Sequence, residues 1–269
     1  MIHVIAERAG HLIVTRDTDW GGAVAKRQTG AEIRDEYVVL MGEPLGLAYN
    51  VLRNDLTLAY AYWKVYRELY TDEERLAVLN DSAGTLFFLL QSLLLHGVLL
   101  QLAVLVDRPA TRDKKNLTLR SLPSLVAPEL QSRLESLISS ACGSCDSVVA
   151  WRNRRLAHRD HDVALEAVDL PEVPFTGIDD ALESAARVLN CVEAHYNKNA
   201  SVAYGMVELG GSADSLVYFL RRGLDAEREA VEGSNKAFEQ TRSRYAHHRG
   251  VSSRSSTPGR SEDPCRKRT

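Results

Sequence analysis

Leu86-Phe87-Phe88-Leu89-Leu90-Gln91-Ser92-Leu93-Leu94-Leu95-His96-Gly97-Val98-Leu99-Leu100-Gln101-Leu102-Ala103-Val104-Leu105-Val106 carries no formal charge over 21 residues. Whether this run crosses a bilayer or lies inside a protein decides the fold. Its length satisfies a spanning helix. Gln91, Ser92, His96 and Gln101 interrupt it, however, and no second run of this kind accompanies it. Polar side chains at mid-bilayer are costly without partners. We therefore read a long central helix, apolar nearly all round because other helices of a soluble bundle enclose it. Asp107-Arg108-Pro109 ends it.

Upstream, Leu45, Tyr49, Leu52, Leu56, Ala59, Trp63, Tyr66 and Tyr70 follow steps of three and four, the stripe of an amphipathic helix. Thr71-Asp72-Glu73-Glu74 fits a capping box at the start of the next helix, which should bend near Asn80-Asp81-Ser82. Residues 1–40 show no sustained period and read as a loosely ordered leader, with Met41 an alternative start.

Downstream, a connection holding Pro123 and Pro128 contains a short helix around Leu117 to Leu122. Leu130, Leu134, Leu137, Ile138 and Ala141 resume the helical period. Gly143-Ser144 marks a break, with Ser144 placed to cap the following helix. Thr176-Gly177-Ile178-Asp179 suggests a second capping box ahead of the stripe Ile178, Leu182, Ala185, Leu189, Val192 and Tyr196. Ser212 to Ala230 reads as a last helix, and the Ser/Arg-rich end as a disordered tail. No strand pattern, phosphate-binding glycine loop or internal repeat stands out.

The net charge of -3 hides an asymmetry: residues 242–269 carry eight Lys/Arg and two acids. Any contact with nucleic acid must therefore be local. Four cysteines are too few for a secreted disulfide scaffold. The N-terminus shows no basic segment followed by an apolar run, so a cytoplasmic protein is expected.

The chemistry concentrates in Trp151-Arg152-Asn153-Arg154-Arg155-Leu156-Ala157-His158-Arg159-Asp160, one histidine among four arginines. Imidazole exchanges protons near neutral pH, and guanidinium forks neutralise phosphate charge. Together they point to metal-free chemistry on RNA. On a continuous α-helix, Arg152 and His158 would lie about 9 Å apart along the axis and about 120° apart around it. Arg154 and His158 would share a face, with Arg152, Arg155 and Arg159 on a separate basic stripe. A compact Arg152–His158 site thus needs either a helix that ends before His158 or a second subunit. The alternative is a solvated arginine face with a histidine near its end.

A rival spacing overlaps the motif: Cys142-x2-Cys145 followed by His158-x2-His161 is close to a zinc finger. The last gap is short for that class and no hairpin pattern surrounds the cysteines, so no metal or other cofactor is expected. His96 reads as a hydrogen-bonded core histidine that could also line a cleft. His247-His248 and the arginines after them read as a basic tail.

The order of Tyr60-x-x-Trp63-x-x-Tyr66-Arg67-x-Leu69, Leu105-Val106-Asp107, Asn116-Leu117-Thr118-Leu119 and the Arg152-to-Asp160 motif resembles the HEPN superfamily, in its abortive-infection, AbiU-like branch. The likeness covers roughly residues 42–200. It implies an all-α helical bundle at residues 41–204; outside the likeness, the sequence itself reads as a helical extension at 205–240 and a disordered basic tail at 241–269. It also implies a two-fold homodimer that brings two motif copies into one cleft.

The resemblance further implies a metal-independent endoribonuclease. In it His158 helps activate a ribose hydroxyl, Arg152 stabilises the phosphorane and Asn153 orients one of them. Arg154, Arg155 and Arg159 would then bind RNA. Such chemistry needs a 2′-OH on an unpaired strand, hence single-stranded RNA or a tRNA loop, and leaves a 2′,3′-cyclic phosphate. A toxin or phage-defence role with a neutralising partner fits this branch, as does a non-catalytic module that binds RNA or protein.

Overall fold

The computed structural model describes residues 2–6, 12–16, 28–111, 114–156, 172–198, 200–209 and 211–251 of the chain. It is an all-α bundle with two small sheets, one of which pairs strands from the N-terminal segment with one at residues 207–209. The chain divides into two units, residues 1–217 and 218–269.

Helix α1 (Gly30–Met41) opens with a reciprocal cap: Glu32 N donates to Thr29 Oγ1 at 3.2 Å, and Thr29 N donates to Glu32 Oε2 at 2.7 Å. This satisfies two amides that the first turn leaves free. Ile33, Tyr37 and Met41, four apart, are buried. Gly42, at φ 84, then turns the chain in a conformation that suits glycine. Helix α2 (Glu43–Tyr70) starts with Pro44 in its first turn and packs against α1. A side chain at Gly46 would run into the Tyr37 carbonyl, so the two backbones meet there. All eight residues of the expected α2 stripe, Leu45 through Tyr70, are buried.

Helix α3 (Glu73–Leu105) is capped by Asp72, whose carboxylate accepts from Arg75 N at 2.9 Å, rather than by Thr71. It bends at Ala83 (φ -159, ψ 60), just after the expected position. Its burial differs from the sequence expectation. Val98, Leu99, Leu102, Ala103 and Leu105 are enclosed, whereas Leu86, Phe88, Leu89 and Leu93 are more than half exposed. Only 28% of its most apolar window is buried. By length and composition it is the one helix among the described residues that could cross a membrane. Helix α2 covers one side and later elements cover the C-terminal part, leaving an open apolar stripe of Leu86, Leu89, Leu93, Leu100 and Val104.

A 3-10 turn (Leu119–Ser124) leads to α4 (Pro128–Ser144) and a short α5 (Asp146–Trp151). The expected break falls at Cys145. Ser144 does not cap α5; its hydroxyl lies 3.2 Å from that of Ser184. Helix α6 (Phe175–Tyr196) buries Ile178, Leu182, Ala185, Leu189 and Val192 as expected and packs on α4. It starts at Phe175, so Thr176 lies inside the first turn and the cap is Pro174, which has no side-chain acceptor; the Asp179 carboxylate accepts instead from Trp63 Nε1 at 2.7 Å. Helix α7 (Ala213–Val251) runs past Ala230 and into the stretch expected to be a disordered tail.

Strands β1 (Ile2–Ala6) and β2 (Leu12–Arg16) pair antiparallel, and β5 (Val207–Leu209) joins β1 in parallel, in the order β2-β1-β5. Strands β3 (Ala110–Thr111) and β4 (Lys114–Lys115) form a two-residue ladder. The sheet strands and α1 lie where the sequence shows no sustained period. Strands of three to five residues are too short for alternation to register.

A polar cluster lies within the helical core. Arg53, fully enclosed, stands 5.6 Å from the Tyr37 ring centroid, and Tyr37 packs at 4.9 Å on Tyr49. Glu193 is also fully buried, with Oε1 accepting from Asn197 Nδ2 at 2.8 Å. Burial first, then neighbouring tyrosines and Glu193, push the Tyr49 hydroxyl well above its usual range.

Candidate functional site

Helix α5 ends at Trp151, and Arg152–Leu156 wind as a π-helix. Its i to i+5 bonds widen the turn, so the angular offset of a continuous α-helix does not apply to this motif. Such turns concentrate at functional sites.

The π-segment packs on α3. Arg152 Nη2 lies 3.1 Å from Asp107 Oδ2, with the arginine side chain 20% exposed and the aspartate 35%. Arg152 Nε is buried without a hydrogen-bond partner among the described residues. The pair fixes the guanidinium near the surface without sealing it. Three residues on, the Arg155 guanidinium stands 5.8 Å from the Trp151 ring centroid, within reach of a cation–π contact. Asn153 is exposed and Arg154 half-buried.

His96 of α3 belongs to the same neighbourhood. Its partial burial, and then the Arg155 charge, hold its pKa below the ordinary imidazole value, so it is neutral at pH 7. Helical spacing also sets His96 on the margin of the open stripe formed by Leu89, Leu93 and Leu100. The structure thus brings Arg152 to Asp107 and Arg155 to His96. His158, Arg159 and Asp160 lie outside the described residues, so their placement relative to Arg152 is not part of this geometry.

Two partners escaped sequence reasoning. Asp107 reads in sequence as a helix terminator and as part of Leu105-Val106-Asp107, with nothing to tie it to Arg152, although it is the first charge after a long apolar run. A buried-side arginine elsewhere in the chain would be expected to seek such a carboxylate. Trp151 precedes the arginines directly, but only a structure shows that Arg155 reaches back over it.

Only the cysteine half of the zinc-finger spacing lies among the described residues. Cys145 is buried, and burial first, then Cys142 and Asp146, push its thiol up to about 12. His158 and His161 lie outside the described residues, and no cluster of three metal-binding side chains occurs among those described.

A cleft of about 580 Å3 lies elsewhere, lined by Tyr60, Trp63, Lys64, Arg67 and Asp179 among others. Its cations are engaged: Arg67 pairs with Asp179 at 3.4 Å, and Lys64 Nζ donates to the Val207 carbonyl at 2.7 Å. The Tyr60-to-Leu69 motif therefore builds an aromatic and charge-balanced wall rather than a phosphate site.

The all-α bundle, with Arg152-Asn153 followed in sequence by His158, fits the HEPN class. Residues 42–214 match the HEPN_AbiU2 family model, AbiU2, and the chain belongs to that family. The match begins between α1 and α2 and ends in the first turn of α7, so α1, β1 and β2 lie outside it. No curated protein and no solved structure matches the chain.

Proposed function

We propose that this HEPN-type module is a metal-independent endoribonuclease acting on single-stranded RNA or tRNA loops as a two-fold homodimer. In this reading His158 takes the proton from a ribose 2′-OH as it attacks the adjacent phosphorus. The 5′-oxygen leaves with a proton, and the products end in a 2′,3′-cyclic phosphate and a 5′-hydroxyl. Arg152 neutralises the crowded phosphate in the transition state and Asn153 orients the reacting groups. Arg154, Arg155 and Arg159 hold the strand. A cytoplasmic toxin or phage-defence role, with a neutralising partner, follows from the same reading.

The observation that carries it is the Asp107-held Arg152 beside the open apolar stripe of α3. A second copy covering Leu86, Leu89 and Leu93 would remove that surface from water. In this reading the second copy also supplies the second motif of the two-fold site.

The test is cleavage of single-stranded RNA in EDTA. Wild type should yield cyclic-phosphate ends, and His158→Ala should abolish turnover while the helical spectrum and oligomeric state stay unchanged. Equal cleavage by His158→Ala refutes the assignment.

The Arg152–Asp107 ion pair also favours a second reading, because an engaged arginine can serve structure alone. A non-catalytic HEPN module would bind RNA or protein in a salt-sensitive way, weakened by Arg152→Ala and indifferent to His158→Ala.

A further inference from the structure

Between Asp81 and Glu129 the only formal charges are Arg108, Arg112, Lys114, Lys115 and Arg120 against Asp107 and Asp113, an excess of positive charge in a chain whose net charge is -3. The structure ties this excess to the arginine motif. Asp107 Oδ2 lies 3.1 Å from Arg152 Nη2, while its Oδ1 accepts from Arg108 N at 2.9 Å. Lys115 pairs with Ala110 in the β3–β4 ribbon, and at most about 10 Å of extended chain separates Ala110 from Asp107. Asn116 closes the base of the ribbon: its N–H donates to the Pro109 carbonyl at 2.8 Å, and its Nδ2 to the Arg108 carbonyl at 3.0 Å. Leu119, fully buried, seats the stretch that follows. The Asn116-Leu117-Thr118-Leu119 motif thus fixes a basic ribbon next to the carboxylate that holds Arg152.

We propose that this ribbon, through Arg108, Lys114 and Lys115, is a second phosphate-binding element that holds the backbone of single-stranded RNA on one flank of Arg152. The inference rests on RNA as the ligand, and not on its cleavage.

The pairing of charges supports it. Lys64, Arg67, Arg75 and Arg187 each stand 3.9 Å or less from a carboxylate. Lys114, Lys115 and Arg108 are exposed, and among the described residues their side chains make no ion pair or hydrogen bond. Unpaired cations gathered in one place on an otherwise acidic chain are the electrostatic footprint of a polyanion. Successive strand residues point to opposite faces, so the ribbon offers an ammonium on each. These are point charges on flexible stems, suited to a backbone and indifferent to base sequence. Arg152 selects a thin strand over a bilayer surface, because its side chain is only 20% exposed and sits behind the ribbon's first residue in the Asp107 link.

The experiment is binding of a fluorescent 2′-O-methyl oligoribonucleotide, which lacks the attacking hydroxyl, to the full chain across about 50–200 mM salt. Lys114→Gln combined with Lys115→Gln should weaken binding about ten-fold at the low-salt end. It should also flatten the plot of log Kd against log salt by about 0.7 for each lysine that meets a phosphate. Lys236→Gln, a like change on exposed α7, should alter neither. The helical spectrum should be unchanged in both variants, since the positions are exposed. An unchanged slope and affinity, an equal loss in Lys236→Gln, or no binding by the wild type overturns the proposal. So does a double variant that binds the strand normally yet loses wild-type binding to phosphatidylglycerol vesicles. Wild-type cleavage of RNA with an unchanged slope would remove this element and leave the nuclease reading standing. A flattened slope in a protein that cleaves nothing would do the reverse.

Discussion

Arg53 and Arg152 present the same guanidinium to opposite surroundings. Arg53 is fully enclosed in the bundle core, over the Tyr37 ring and near Tyr204, and its Nε and Nη2 find no hydrogen-bond partner among the described residues. Arg152 stands at a π-turn, paired with the half-buried Asp107 and partly open to solvent. A guanidinium walled in by aromatic rings cannot reach a phosphodiester and acts on the fold alone. One held from behind by a single carboxylate keeps donors for a ligand. The contrast suits the first to structure and, under the proposed nuclease reading, the second to chemistry.

Exchanging the two should separate stability from activity. The largest effect is expected from Arg53→Ala, which removes a fully enclosed side chain from against the Tyr37 ring and leaves a cavity in the core. Urea unfolding should show a loss of about 3 kcal/mol, and a loss below about 1 kcal/mol would show that the cluster is not a structural centre. Arg152→Ala should do the reverse. Cleavage should fall by about 10²-fold or more, as when a transition-state donor is removed. Stability should change by less than about 1 kcal/mol, as for a partly exposed ion pair.

Asp107→Asn sharpens the contrast, because the carboxylate touches Arg152 rather than substrate. Its expected cost is about ten-fold in kcat with KM little changed, the mark of a mispositioned transition-state group. A rise in KM alone would assign Asp107 to binding instead.

The smallest effect concerns His96, whose folded pKa is lowered by burial and by Arg155. The unfolded chain takes up the proton first, so stability is full above the ordinary imidazole value and falls as pH drops below it. His96→Gln should flatten that part of the Tm-against-pH curve by a degree or so, and an unchanged curve would remove His96 from the neighbourhood of Arg155.

Much of the bundle was legible because amphipathic stripes are long. The α2 and α6 stripes each run through several turns, and the residues they contain are the ones that pack. Failures came where the signal is short or depends on a distant partner. The strands span five residues or fewer, and α1 rests on a cap at Thr29 and only three buried positions. Thr176-to-Asp179 has the spacing of a capping box, but Trp63, 116 residues away in sequence, takes the Asp179 carboxylate. Helix α3 misled for a different reason. Composition reports that a helix is apolar all round, and cannot report whether the neighbours on each side come from the same chain. At the site, the arginines were visible in sequence, while their anchoring by Asp107 and the π-turn that aims them were not.

The central claim, that a ribose hydroxyl is the nucleophile at a metal-free arginine and histidine centre, is tested most directly with one oligoribonucleotide and its single 2′-deoxy counterpart. With EDTA present and enzyme in excess, the account predicts cleavage of the all-ribo strand to a 2′,3′-cyclic phosphate and none at the deoxy position. Cleavage at the deoxy position, or an intact all-ribo strand across a panel of single-stranded and tRNA-loop sequences, would contradict it.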